Sequence, residues 1–210
     1  MLLGLSLATI LIILGALFFT ALFVILIILA AKYYEPGHKR AGRIGEEYVS
    51  DLIRDVLNED DILLRNISIT ADGKDAEFDN VIINKNGVFV IEVKNYSGTL
   101  VGDEEDYEWV KKKISSGGEL YIKNVKNPIK QVKRQVYVLS QFLKENKINA
   151  WIDGYVFLVE RNSPIDSTYI LESAGDIDEV IHRPGKKPIS EKTVIKLSRL
   201  MEMYQGEESR

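Results

Sequence analysis

A mixed α/β fold, with helices flanking a central mixed sheet and one separate N-terminal transmembrane helix, is predicted by three features of this 210-residue chain. Residues 1–31 contain no charged side chain. Asp79 to Lys94 reads as two apolar strands joined through Asn86-Gly87. On either side of that pair lie stretches whose apolar residues recur at helical spacing, and a continuous apolar run follows, as expected of a buried strand. The order helix, two or three strands, helix, strand and helical end gives a sheet covered by helices.

The uncharged start exceeds the ~20 residues a helix needs to cross a bilayer. A cleaved signal peptide would open with basic residues and carry an apolar region of about 7–15 residues. Residues 1–31 have no basic start and are longer, so an uncleaved, single-pass anchor is expected there. Lys32, Lys39, Arg40 and Arg43 follow at once, with His38 among them. By the positive-inside rule this places the soluble part in the cytoplasm, at the cell membrane, with a short N-terminus outside. Residues 32–41 form a juxtamembrane linker that includes Tyr34-Glu35-Pro36-Gly37.

From Ile44 to Leu57, the residues Val49, Leu52, Ile53, Val56 and Leu57 mark the inner face of a helix. The strand pair comes next. A second helix starts with Asn127 as N-cap and Pro128 at its first position. Its stripe is Ile129, Val132, Val136, Leu139 and Leu143, widened by Val138 and Phe142. Tyr155 to Val159 is the buried strand, and Thr168–Leu171 and Glu179–Ile181 are weaker strand candidates. Ser190 caps a last helix facing inward through Val194, Leu197, Leu200, Met201 and Tyr204. Residues 42–160 are expected to form the domain core, and 161–210 an extension packing on it.

Ionised groups at the ends of strands this apolar are costly unless paired or bound to a cation. Glu92 and Lys94 share one strand face, with Val93 on the other. Asn86-Gly87 suits a short hairpin turn. A two-residue loop at Asn86-Gly87 sets Asp79 opposite Lys94, and a four-residue loop shifted by one position sets it opposite Glu92. Either way Asp79, Glu92 and Lys94 converge; a three-residue loop without a bulge would separate them. Two carboxylates are hard oxygen ligands for Mg2+ or Mn2+, with positions left for water and phosphate oxygens. Such a cation neutralises charge building on a phosphate and acidifies bound water. Lys94 beside it would orient or deprotonate the water, or hold the phosphate. The plainer alternative is an exposed Glu92–Lys94 ion pair of little energetic worth.

With these pieces the sequence resembles the nuclease-related domain, NERD, a branch of the PD-(D/E)xK nuclease superfamily. The resemblance runs from about Gly42 to Val159. It rests on Gly42-Arg43-Ile44-Gly45-Glu46, Phe78-Asp79-Asn80-Val81-Ile82-Ile83, Gly87 to Gly98 with its Ile-Glu-Val-Lys-Asn-Tyr-Ser-Gly run, Trp109, and Asn127-Pro128-Ile129-Lys130-Gln131. It implies a nuclease triad of Asp79, Glu92 and Lys94, with Glu46 and Gln131 supporting. Asn80 departs from the family, many members of which carry His after the Asp. Periodicity places Glu46 in line with Val49, Ile53 and Leu57, whereas Glu47 aligns with the solvated Ser50, Asp51, Arg54 and Asp55. Gln131 and Gln135 fall inside the apolar arc of their helix and need hydrogen-bond partners there.

The net charge of −4 does not announce a nucleic-acid binder, but its distribution is uneven. Lys111, Lys112, Lys113, Lys123, Lys126, Lys130, Lys133 and Arg134 are opposed within their own segment by Glu119 alone. Such a patch beside the site would hold phosphates without sequence choice. The absence of Cys excludes disulfides and thiolate metal sites, and His38 and His182 stand apart. No P-loop, dinucleotide fingerprint or internal repeat is present. The expected function is a membrane-anchored, Mg2+- or Mn2+-dependent nuclease acting on DNA or RNA. The alternative is a membrane-tethered module that binds nucleic acid or protein on a nuclease-like fold without catalysis.

Overall fold

The structure is a computed structural model that describes residues 6–33, 36–160, 165, 167–185 and 187–206. By contacts the chain divides into two units, residues 1–40 and 41–210. In the first, helix α1 (Leu7–Tyr33) has 27 residues, about 40 Å at 1.5 Å per residue. Its stretch Leu7–Ala30 is long and apolar enough to cross a membrane. Helix α2 (Gly37–Val56) begins earlier than the apolar spacing predicts. The end of the expected linker, from Gly37, is therefore helical; Lys39 and Arg40 carry no inward stripe to reveal it. Tyr34 and Glu35 of that linker lie outside the described residues.

In the second unit a five-stranded sheet has the order β1-β2-β3-β7-β8. Strands β1 (Ile62–Ala71) and β2 (Lys74–Asn84) pair antiparallel across Asp72-Gly73, both at positive φ as a tight primed turn requires. β2 pairs antiparallel with β3 (Gly87–Lys94), Asn84 opposite Gly87. The turn residues are thus Lys85-Asn86 rather than Asn86-Gly87. This two-residue turn produces the register in which Asp79 faces the position of Glu92. The Asn84 carboxamide oxygen accepts from Asn86 N at 2.9 Å, and both side-chain amides donate to the Ile181 carbonyl, which fixes the turn one residue early.

Between β3 and its parallel neighbour β7 (Ile152–Leu158) the chain makes a second sheet and a helix. Strands β4 (Thr99–Val101), β5 (Glu108–Ile114) and β6 (Leu120–Lys126) form this antiparallel sheet, and α3 (Pro128–Glu145) returns the chain. The basic run had given no strand signal because its lysines mask the alternation. Strand β8 (Ile170–Leu171) extends the main sheet beside β7. Glu179–Ile181, a strand candidate by sequence, lies in helix α4 (Ala174–His182). The overlooked signal is the capping box of Ser173 and Asp176, which commits the chain to a helix with Ile177 and Ile181 one turn apart. Ser190 caps α5 (Glu191–Glu202), as expected.

The main sheet is sandwiched. On one face Val88, Val90, Val156 and Leu158 pack with Ile129, Val132 and Leu139 of α3 and Val194, Leu197 and Met201 of α5. On the other, Phe89, Ile91, Tyr155 and Phe157 pack with Val49 and Ile53 of α2 and Ile177 and Ile181 of α4. The alternation along β3 and β7 sends successive residues to opposite layers. Glu92 and Lys94 therefore follow Val88 and Val90 towards α3.

Candidate active site

Ladder pairing between β2 and β3 stops at Asn80 opposite Ile91. The next residue of β2, Asp79, accepts the Val93 backbone N–H on Oδ2 at 2.7 Å, so a side chain stands where a backbone partner would continue the ladder. Glu92 sits at this fork and is 2% exposed. Its Oε1 accepts from Lys94 Nζ, and from Gln131 Nε2 at 2.5 Å. Its Oε2 accepts from Gln135 Nε2 at 2.6 Å, an amide that also donates to the Glu77 carbonyl at 2.7 Å.

The two glutamines are aimed by the start of α3. Asn127 caps it, Oδ1 accepting from Ile129 N at 2.9 Å, while Nδ2 donates to the carbonyls of Asp103, Glu104 and Asp106. Pro128 fills the first position, where no N–H is needed. Gln131 and Gln135, one turn apart, then both meet Glu92. The sequence predicts that Gln131 needs a hydrogen-bond partner, and Glu92 is that partner. The contact of Gln135 with Glu92 is not predicted, although its place in the apolar arc beside Gln131 carries the signal.

Glu46 comes from α2, which covers the opposite layer, and is partly buried, whereas Glu47 is exposed and pairs with Arg43. The helix is held here by two contacts. Ser50, placed by periodicity on the solvated face, is instead buried, its Oγ donating to Asn80 Oδ1 at 2.8 Å, and Asn95 Nδ2 donates to the Ala41 carbonyl at 2.8 Å. Gly45 lies against Asn95 so closely that a Cβ would come within 2.8 Å of the Asn95 Cβ. Asn80 is fully buried, and its Nδ2 has no partner among the described residues.

Burial, then the adjacent Glu92 charge, pushes the Asp79 carboxyl from 3.8 up to about 8; Glu46 adds to the rise, and Val93 N–H and Lys94 oppose it. Burial works to lower the Lys94 pKa, but its hydrogen bond and attraction to Glu92, with help from Tyr96 and Asp79, raise it overall. Lys94 is thus held as an ammonium. Burial also raises the Tyr96 phenol.

Among the described residues no group of three His, Cys, Asp or Glu side chains is arranged to hold a metal ion. Two carboxylates are available, and their chemistry suits a hard divalent cation. Among the described residues Asp79 Oδ1 takes no hydrogen bond, and a bound cation would offset both the burial and the Glu92 repulsion that hold Asp79 protonated. Glu92 Oε1 would have to release Lys94 to join. Asp79 and Glu92 therefore fit such an ion as a pair, its other ligands coming from solvent or substrate.

The basic residues separate into groups. Lys111 and Lys113 share the Trp109 face of β5, and Lys111 pairs across the ladder with Lys123. Lys111 Nζ lies 5.7 Å from the Tyr96 ring centre, and Lys113 Nζ donates to Ser97 Oγ at 3.1 Å, so both border the segment that leaves Lys94. Trp109 itself is buried, its Nε1 donating to the Asp103 carbonyl at 2.9 Å. Lys112 points to the opposite face, and Lys126 is exposed at the end of β6. Lys130 pairs with Glu105 at 2.6 Å, Lys133 with Glu104 at 2.8 Å, and Arg134 donates to the Asp75 carbonyl at 2.8 Å. These acids precede the basic run in sequence and meet it in space.

Residues 41–159 match the NERD family, the nuclease-related domain. More than half of the chain lies within the match, and the protein belongs to that family. An uncharacterized protein of Bacillus anthracis is 32% identical over 79 residues, 37% of this chain and 36% of that protein. The chain therefore spans about a third of the length of the curated relative it matches. No solved structure matches significantly.

Proposed function

We propose that this protein is a membrane-tethered, divalent-metal-dependent nuclease that hydrolyses phosphodiester bonds of DNA or RNA, its catalytic unit on the cytoplasmic side. The carrying observation is the fork between β2 and β3, where Asp79, Glu92 and Lys94 meet with Gln131. Asp79 and Glu92 would hold Mg2+ or Mn2+, which when bound supplies charge neutralisation at the phosphate and a more acidic water. Lys94, kept charged by Glu92, is suited to hold a phosphate oxygen rather than to take a proton. Gln131 and Gln135 fix the Glu92 carboxylate in one orientation. Glu46 adds negative charge beside Asp79. Lys111, Lys113 and Lys123 offer a sequence-indifferent hold on the nucleic-acid backbone. Hydrolysis adds water oxygen to phosphorus as the bond to the departing sugar oxygen breaks, leaving a phosphomonoester and a hydroxyl. Tethering rests on α1 and on Lys32, Lys39, Arg40 and Arg43, which follow its apolar stretch.

The full-length chain in detergent should cleave labelled DNA or RNA only when Mg2+ or Mn2+ is present. Asp79→Ala and Glu92→Gln should each lower the rate by about 10²-fold or more. Equal cleavage by both variants would refute the assignment. One observation favours a non-catalytic binding module: Glu92 is already satisfied by three side chains of its own protein. That reading predicts binding that survives EDTA and Glu92→Gln, with no cleavage of any substrate.

A further inference from the structure

The sheet of β4, β5 and β6 has two unlike faces. Cross-strand register puts Leu100, Trp109, Lys111, Lys113, Tyr121, Lys123 and Val125 on one of them. Leu100 and Trp109 are buried there, which anchors that face to the domain. The other face carries Thr99, Val101, Val110, Lys112, Ile114, Leu120 and Ile122 at the hairpin end and middle, with Glu108, Asn124 and Lys126 towards its far end. Ile114, Leu120 and Ile122 are 70%, 62% and 58% exposed, and they converge because Ile114 pairs with Leu120 and Lys112 with Ile122. Branched apolar side chains clustered on an exposed sheet face mark an interaction surface.

The surroundings of the cluster identify the occupant. Lys112 and Lys126 share its face with Glu108, and Lys111, Lys113 and Lys123 line the reverse face of the same hairpin. Tyr121, 67% exposed, projects from the reverse face at the same end of the hairpin. Apolar side chains at a tip, a tyrosine on its reverse and lysines behind are the arrangement that enters a membrane interface, apolar groups below the headgroups and amines among anionic phosphates. A nucleic acid would reward the lysines but leave Ile114, Leu120 and Ile122 wet. The same chain supplies proximity, since only residues 34–36 separate α1 from α2.

We infer that the Ile114–Leu120–Ile122 face of the β4–β5–β6 sheet docks on the anionic lipid surface of the membrane that α1 crosses. This rests on the tether reading above and is independent of cleavage. The chain has no Cys, so single spin labels can be placed without background. Full-length Ile122→Cys and Leu120→Cys, labelled with a nitroxide, are inserted in nanodiscs of phosphatidylcholine alone or with about one-third phosphatidylglycerol. Lys196→Cys on exposed α5 serves as the aqueous reference, and Leu22→Cys reports on α1. In the anionic discs, labels at 120 and 122 should favour oxygen over a water-soluble nickel relaxant by about threefold or more relative to position 196, and less so in phosphatidylcholine alone. Labels at 120 and 122 as wet as position 196, with Leu22→Cys in lipid, would overturn the docking and leave the tether standing. Spin–spin broadening at 122 that is indifferent to lipid charge would assign the face to a second copy and overturn it too. A wet Leu22→Cys would remove the tether and the docking together.

Discussion

Replacing Asp79 by Asn should stabilise the cation-free protein, and increasingly so as pH rises. The folded state raises the Asp79 carboxyl from 3.8 to about 8, through burial and the neighbouring Glu92 charge. Between those values the unfolded chain has lost the proton and the folded chain keeps it, so folding must hold a proton that solution would remove. Stability is then greatest below pH 3.8 and falls by about 1.4 kcal/mol per pH unit until the folded group ionises. From pH 5 to pH 7 this amounts to roughly 3 kcal/mol. The Asn variant keeps an acceptor for the Val93 N–H and carries no titrating group, so this part of the slope disappears. For a unit of this size the difference corresponds to a melting temperature gap that widens by about 5–10 °C over that range. Melts in EDTA, followed through the fluorescence of Trp109 and Trp151 in the full-length detergent-solubilised chain, would measure it. Parallel pH profiles for parent and Asp79→Asn would refute the electrostatic account of the fork.

Gln135→Leu strips Glu92 Oε2 and the Glu77 carbonyl of their shared donor, and should cost about 1–3 kcal/mol in denaturant unfolding. Gly45→Ala forces a methyl against Asn95; the overpacking, about 1–3 kcal/mol, should exceed the gain in helix propensity, lowering the melting temperature. His182 bridges Asp61 at 2.8 Å and Asp178 at 2.6 Å; burial alone would lower its pKa, but these two acids raise it above 6.5. Its contribution is therefore complete below pH 6.5 and lost as pH climbs through the folded value, so the melting gap between parent and His182→Gln should be widest in acid and close in alkali.

The sheet and its two covers were legible because the strands and helices that build the core have strong periods. The apolar runs of β3 and β7 could only be buried strands, and the stripes of α2 and α3 could only be helices. Asp79, Glu92 and Lys94 were readable as one cluster because strand alternation and any even-numbered turn bring them to a common face. The turn itself was misplaced by one residue because its position is set by Ile181, nearly a hundred residues away, whose carbonyl holds both Asn84 and Asn86. Glu179–Ile181 reads as a strand candidate for a related reason: the helix that contains it is announced by a capping box rather than by a long stripe. The pairing of Lys130 and Lys133 with Glu105 and Glu104 was hidden because a whole hairpin separates the partners in sequence. Local patterns reveal elements, whereas contacts across long loops depend on how those elements pack.

Asn127 grips three carbonyls of the 103–106 stretch while capping α3, and so closes off the three-stranded sheet at its exit just before the glutamines begin. Everything from Thr99 to Lys126 is thereby spliced in as a cassette between the Lys94 strand and the Gln131 helix. Lengthening, shortening or re-charging that cassette alters what the protein touches without moving the residues around Glu92, so reach and chemistry can diverge separately within one chain.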